Sequence, residues 1–136
     1  MSDAAREYLE QTSAAMSTGY TANCVVHACA LAELLLGAGR APWIGRLRHI
    51  TERSGQAFHE PLVPLRFRGT TWNTHYVCCC DGEVYDPLLG RTVAVEDYAR
   101  EVFGLDLEIA EHLSAEATAR MAGEGTLKDA FRVRRA

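Results

Sequence analysis

The spacing of the apolar positions changes near residue 43, and this change divides the chain into a helical and a strand-like part. Residues 24–36, CVVHACALAELLL, are apolar around almost the whole helical circumference. Asn23 before them is a favourable N-cap, and Gly37, Gly39 and Pro42 after them are typical of a helix end. The pattern therefore predicts a buried central helix.

The segments on either side of this helix complete the predicted order of elements. Residues 1–20 have amphipathic helical spacing, whereas residues 43–47 and 62–67 have the pattern of short strands, with a polar loop predicted at residues 51–56. Residues 72–90 predict a β-hairpin with Asp81-Gly82 at its tip, and residues 95–103 and 107–121 predict helices. This order favours an α+β domain, with helices packed against one sheet of about three or four strands.

Composition and charge narrow the classes of function. The 136 residues suffice for a single domain with one hydrophobic core, and 48% hydrophobic and 24% charged residues are typical of a soluble globular protein. The net charge is −4 and no basic stripe is present, so we expect neither nucleic acid nor a membrane as a partner. The first twenty residues have the pattern of neither a signal peptide nor a membrane span.

The cysteines indicate a reducing environment. Their number is five, and three of them are consecutive at residues 78–80, so no disulfide framework is expected. We therefore expect a cytoplasmic protein, although a protein exported without a cleavable signal would show the same features. No metal is expected either, because Cys24, His27 and Cys29 form no Cys-x-x-Cys pair, and neighbouring strand cysteines point to opposite faces.

Cys24 occupies the first turn of the predicted central helix. Unpaired backbone amides and the positive end of the helix dipole favour a thiolate at such a position, and the thiolate is the form that attacks a carbonyl carbon. A small buried core residue is the alternative interpretation of a cysteine in an apolar helix. That interpretation fits Cys29, which lies too far along the helix to benefit from the dipole.

The predicted hairpin brings a histidine and an aspartate together. With Asp81-Gly82 as a two-residue turn, Cys78 faces Tyr85 and Val77 faces Asp86. His75 then lies on the same face as Asp86 and is its diagonal neighbour. The carboxylate can hold one ring nitrogen and leave the other to exchange a proton with a thiol. Cys79 is expected to face the core beside this pair, with Cys78 and Cys80 on the other face.

Four stretches resemble the core of the papain-like and transglutaminase-like superfamily of cysteine hydrolases. They are residues 23–35 (NCVVHACALAELL), 39–45 (GRAPWIG), 75–77 (HYV) and 81–87 (DGEVYDP). The Asn-Cys-Val opening is similar to papain-fold toxin domains, and the helix with its Gly-x-x-Pro turn is similar to bacterial transglutaminase-like peptidases. The resemblance implies a papain-like core at about residues 20–90, followed by a C-terminal helical extension at about residues 91–136.

This resemblance also implies roles for individual residues. Cys24 would be the nucleophile, His75 the general base and acid, and Asp86 the residue that orients His75. The glutamine that donates to the oxyanion in papain corresponds to Thr18, so a second donor is unassigned. Candidates for the oxyanion site or the cleft are Asn23, Gln11, Trp72 and His27.

The sequence therefore predicts a cysteine-dependent amide hydrolase or acyltransferase without a cofactor, acting on a protein or peptide. Peptidase, deamidase and transglutaminase-like activity fit the same triad, and no oligomeric state is predicted. An inactive papain-like module that binds a protein partner is the alternative. Four arginines, Arg46, Arg48, Arg66 and Arg68, could form a cationic rim for an acidic substrate or a solvated sheet face, and His49, His59 and His112 are predicted at the surface.

Overall fold

Helices and an antiparallel sheet form a mixed α+β structure, as the order of elements predicts. The computed structural model describes residues 3–16, 19–20 and 23–131. The helices are α1 (Ala4–Ala15), α2 (Cys24–Gly37), α3 (Tyr98–Phe103) and α4 (Ala115–Glu124), with a 3-10 helix at Leu127–Phe131. The strands are β1 (Trp43–Leu47), β2 (His49–Arg53), β3 (Gln56–Glu60), β4 (His75–Cys80), β5 (Glu83–Tyr85), β6 (Val93–Ala94) and β7 (Ala110–Leu113).

The central helix α2 begins where the sequence predicts it. The side chain of Asn23 accepts a hydrogen bond of 2.9 Å from the Val26 amide, which caps the first turn. Leu31, Ala32 and Leu35 are fully buried, in agreement with the predicted central position. Helix α1 packs against α2, and α2 packs against β4. The first residue of α2, Cys24, is thereby brought to the sheet.

Five strands form the main sheet in the order β6-β5-β4-β1-β7, and every neighbouring pair is antiparallel. The hairpin between β4 and β5 has the predicted register, with Cys78 opposite Tyr85 and Cys80 opposite Glu83. Asp81 and Gly82 have φ values of 53° and 78°, as a type I′ turn requires. The turn thus fixes which side chains of β4 point to each face.

Side chains on both faces of β4 are buried. Cys78 and Cys80 pack in one apolar cluster with residues of α1 and α2. Cys79 and Val77 pack in a second cluster with residues of α3. The alternation of faces is as predicted, but each face has its own core.

Two segments between β1 and β4 differ from the expectation. Residues 51–56 are not a loop, because β2 and β3 form a separate hairpin that turns at Ser54 and Gly55, with φ values of 52° and 77°. Residues 62–67 are not a strand, since Leu62 forms only an isolated bridge with Trp72. Pro64 interrupts this segment because it lacks an amide hydrogen.

Strand β7 lies within residues 107–121, for which the sequence predicts a helix. Residues 107–121 divide into β7 and α4, and Ser114 between them caps α4 by accepting from the Ala117 amide at 3.1 Å. Strand β7 pairs with the edge of β1, so tertiary pairing overrides the helical spacing of this segment. Helix α3 is shorter than predicted and ends at Gly104, where φ is 68°.

Gly45 lies in the part of β1 that pairs with β7, and its replacement by alanine should destabilise the fold. A Cβ at this position would lie 2.4 Å from Cγ2 of Ile109 and 3.2 Å from Sγ of Cys79. We expect Gly45→Ala to lower the free energy of unfolding by about 1–3 kcal/mol because the core becomes overpacked. Urea unfolding followed by circular dichroism measures this difference.

Gly123→Ala is the matched control for this prediction. Gly123 lies in α4 with open space around its missing Cβ, so its substitution should stabilise by up to about 1 kcal/mol. In an Ile109→Ala background the cost of Gly45→Ala should shrink, since the nearest clashing methyl group is removed. Equal effects of Gly45→Ala in both backgrounds would contradict the assigned clash.

Candidate active site

His75 and Asp86 form a buried hydrogen-bonded pair. Nε2 of His75 lies 2.8 Å from Oδ2 of Asp86, and the two side chains are 0% and 3% exposed. His75 is the first residue of β4, and Asp86 directly follows β5. The two-residue turn therefore brings them to one face, as the hairpin register predicts.

Asp86 is also held by three donors besides His75. Oδ1 accepts from the Leu88 amide at 3.1 Å and from the Tyr20 hydroxyl at 3.4 Å, while the Tyr98 hydroxyl donates to Oδ2. Burial alone would raise the pKa of Asp86, but the charge and hydrogen bond of His75, together with the hydrogen bonds from Tyr98 and the Leu88 amide, lower it below its usual value. Asp86 is therefore a carboxylate at neutral pH.

Cys24 is the third member of the cluster. It is 6% exposed, and its thiol interacts with the side chain of His75 and with the backbone of Tyr76. Burial raises the pKa of this thiol, yet the neighbouring His75 side chain and the backbone of Tyr76 outweigh burial and lower it. The start of α2 adds the positive end of the helix dipole.

The imidazole of His75 is placed between a thiol and a carboxylate. Burial lowers its pKa, but the charge and hydrogen bond of Asp86 and the interaction with Cys24 raise it above the usual value. With Nε2 bonded to Asp86, Nδ1 is a buried atom without a hydrogen-bond partner among the described residues. Cys24 and His75 therefore favour a thiolate and an imidazolium, and they titrate as a pair.

Aromatic rings surround His75 and exclude water from the pair. The centroid of Trp72 lies 4.1 Å from that of His75, with the rings tilted by 42°. Phe103 and Tyr20 approach the same imidazole edge-on, at 5.8 and 6.2 Å between centroids. In such low-polarity surroundings the attraction between opposite charges is stronger than in water. Trp72, predicted as a cleft residue, thus covers the imidazole.

The other predicted helpers have different positions. His27 is buried one turn after Cys24, with Nδ1 2.8 Å from the Tyr8 hydroxyl and its ring edge-on to Tyr20 at 5.2 Å. The side-chain oxygen of Asn23 is occupied by the Val26 amide, which makes Asn23 a helix cap. Gln11 is exposed on α1, and Thr18 lies outside the described residues.

The remaining cysteines differ from Cys24 in their electrostatics. Burial raises the pKa of Cys29 to about 11, and it also raises the pKa of each cysteine of β4. All five thiols are free and buried, but Cys24 is the one whose pKa is lowered. Among the described residues, no group of three or more His, Cys, Asp or Glu side chains is placed to hold a metal ion.

The guanidinium of Arg66 binds backbone carbonyls instead of joining a cationic rim. Its guanidinium donates to the carbonyl oxygens of Ser13 and Met16 at 2.8 and 3.0 Å, and to that of Leu88 at 3.3 Å. Arg66 therefore ties the end of α1 to the turn that follows Asp86. Its exposed guanidinium is engaged in binding this part of the chain together.

Of the three histidines predicted at the surface, His112 is held by contacts with the C-terminal 3-10 helix. His112 is half-buried, because its Nε2 lies 2.8 Å from the Ala130 carbonyl and its ring stacks on Phe131. His59 is exposed, and His49 is partly exposed. The contact of His112 fixes the 3-10 helix to β7.

Two residues of the site were missed by the sequence reasoning. Tyr98 and Tyr20 donate to Asp86, but neither lies within a motif that indicates such a contact. The Leu88 amide had a local signal, because an aspartate before a proline favours a turn in which its side chain accepts from the second following amide.

Comparison with protein-family models gave no match, and comparison with curated proteins and with solved structures gave no significant match. Among the described helices, none has the length and apolar character needed to cross a bilayer.

The reactivity of Cys24 toward iodoacetamide should persist at acidic pH. Its pKa in the folded protein is lowered, so the thiolate remains in a pH range where an ordinary thiol, with a pKa of about 8.5, is protonated. Alkylation of Cys24 between pH 6 and 8, followed by peptide mass spectrometry, should slow less steeply on acidification than alkylation of an ordinary thiol. The same peptide in urea-unfolded protein should lose about tenfold in rate per pH unit. Parallel profiles would contradict the thiolate.

Proposed function

We propose that the protein is a cysteine-dependent amide hydrolase or acyltransferase that acts through Cys24, His75 and Asp86. The observation that carries this proposal is the arrangement around His75. One ring nitrogen is bonded to a buried carboxylate, and the other is left for a thiol whose pKa is lowered. A nucleophile, a base and an orienting carboxylate are what thioester chemistry requires.

In the first step, the Cys24 thiolate attacks an amide carbonyl carbon and a carbon–sulfur bond forms. The carbon–nitrogen bond then breaks, and His75 Nδ1 gives its proton to the departing amine. In the second step, His75 takes a proton from water or from an acceptor amine as that group attacks the thioester. The carbon–sulfur bond breaks, and Cys24 leaves as thiolate. Asp86 remains ionised and holds the imidazole throughout.

The start of α2 supplies a donor for the oxyanion. The Val26 and His27 amides are bonded to the side chain and the carbonyl of Asn23, at 2.9 and 3.3 Å. The Cys24 amide precedes these positions and lies beside the reacting sulfur, so we assign the oxyanion contact to it. Thr18, which corresponds to the oxyanion glutamine of papain, lies outside the described residues, and the second donor stays unassigned.

A papain-like or transglutaminase-like core is part of this proposal. Its support is the order of the elements: a cysteine opens a buried helix, that helix packs on an antiparallel sheet, and a histidine and an aspartate follow at neighbouring strands. The substrate class is an amide of a protein or peptide. Peptidase, deamidase and transglutaminase-like reactions differ in the groups that enter and leave rather than in the triad.

A non-catalytic module that binds a protein partner is the second candidate. It is favoured by the burial of the triad, since Cys24 is 6% exposed and His75 is fully buried. A protein substrate can reach the sulfur only after surrounding side chains move. Reactivity of Cys24 toward a small acyl donor separates the two candidates, because it does not depend on the identity of the natural substrate.

Acyl transfer from p-nitrophenyl acetate to Cys24 tests the proposed function. At neutral pH we expect rapid p-nitrophenol release with a thioester on the Cys24 peptide, detected by mass spectrometry. His75→Ala should slow acylation about 100-fold or more, because both the lowered thiol pKa and the proton transfer are lost. Cys24→Ala should abolish the modified peptide.

His59→Ala is the control, because His59 is an exposed histidine on the β2–β3 hairpin. In the His59→Ala variant, Cys24 should be acylated at the wild-type rate. If Cys24 reacts no faster than an ordinary thiol, or if its rate is the same in His75→Ala, the enzyme proposal is wrong and the binding module is the better interpretation.

A further inference from the structure

Tyr98 lies after the β4–β5 hairpin that carries His75 and Asp86. It is the first residue of α3, in the region after residue 90, and its side chain is 0% exposed. Its hydroxyl donates to Oδ2 of Asp86, the oxygen that also faces Nε2 of His75. A residue of the C-terminal region therefore contacts the buried carboxylate directly.

Two donors on one carboxylate oxygen restrict its position. Tyr98 and His75 approach Oδ2 from different elements, while the Leu88 amide holds Oδ1 at 3.1 Å. The Asp86 side chain therefore cannot rotate about its terminal bond without losing bonds at both oxygens. Hydrogen bonds to a buried carboxylate are stronger than those between neutral groups.

We propose that Tyr98 is a positioning residue, which holds Asp86 in the orientation that fixes the His75 imidazole toward Cys24. This inference rests on the proposed function and extends it. Tyr98 touches no reacting atom, so it acts only through Asp86. The C-terminal region thereby supplies a fourth member of the catalytic arrangement.

Helix α3 also contacts the imidazole itself. Phe103, at the other end of this helix, lies edge-on to His75 with 5.8 Å between centroids. The Val102 carbonyl accepts a 2.8 Å hydrogen bond from the Leu65 amide, which anchors the helix to the segment before β4. One short helix thus orients both the carboxylate and the ring.

Several ionisable groups influence Asp86 and must be included in a test that varies the pH. They come from β4, from α2, from α3 and from the loop before α2, and they are His75, Cys79, Cys24, Tyr98 and Tyr20. The hydroxyl of Tyr98 stabilises the ionised form of Asp86. Without this hydroxyl, Asp86 should take up a proton at a higher pH. The negative charge that stabilises the His75 imidazolium should then also be lost at a higher pH.

Tyr98→Phe tests the proposal, because it removes the hydroxyl and keeps the ring in the core. The measurement is the rate of Cys24 acylation by p-nitrophenyl acetate as a function of pH. We expect a loss of about tenfold at neutral pH, as for a hydrogen bond to a charged group. We also expect the acidic limb of the profile to move upward by about one pH unit.

Tyr85→Phe is the matched control. Tyr85 is also a buried tyrosine, at 1% exposure, and its hydroxyl bonds to Arg40 at 2.9 Å instead of to the triad. This variant loses one hydrogen bond and should keep the wild-type rate to within about twofold, with an unmoved acidic limb. Unfolding in urea shows whether both variants are folded.

The outcomes separate this inference from the proposed function. A reactive Cys24 that depends on His75, combined with equal profiles for Tyr98→Phe and Tyr85→Phe, overturns the role of Tyr98 alone. A Cys24 without enhanced reactivity in the wild type overturns the proposed function. A rate loss in Tyr98→Phe without a shift of the acidic limb indicates a purely structural tyrosine and also overturns the inference.

Discussion

The buried hydrogen bond between His75 and Asp86 is the interaction on which the arrangement of the site depends. Placing a carboxylate at 3% exposure is costly unless its charge is compensated. His75 provides the opposite charge, and Tyr98, Tyr20 and the Leu88 amide provide further donors. These partners come from β4, from α3, from the loop before α2 and from the turn after β5, so satisfying one carboxylate draws four parts of the chain together.

The predictable part of the site is the part set by local rules. An Asp-Gly turn fixes the register of β4 and β5, and a two-residue side-chain period then places His75 beside Asp86. Asn23 and the apolar residues after it fix the start of α2 and so the position of Cys24. Short-range stereochemistry is sufficient for these features.

The features that the sequence did not reveal depend on contacts between distant segments. Strand β7 pairs with β1 beside Gly45, whose missing Cβ leaves space for Ile109, and no spacing within residues 107–121 reports that space. Tyr98 resembles any helical core tyrosine until the fold brings its hydroxyl to Asp86. The β2–β3 hairpin has few buried positions, so its polar sequence indicated a loop.

The buried His75–Asp86 pair is better explained by the reactivity of Cys24 than by the stability of the fold. Replacing a buried ion pair by well-packed apolar residues is often neutral or stabilising, so the fold alone does not require one here. The pair instead leaves His75 Nδ1 without a hydrogen-bond partner among the described residues and lowers the pKa of the neighbouring Cys24 thiol. The cysteines of β4, buried in the same sheet, have raised pKa values, because burial there outweighs the opposing charge of Arg40 near Cys78 and Cys80. The contrast between these thiols follows from the position of one imidazole.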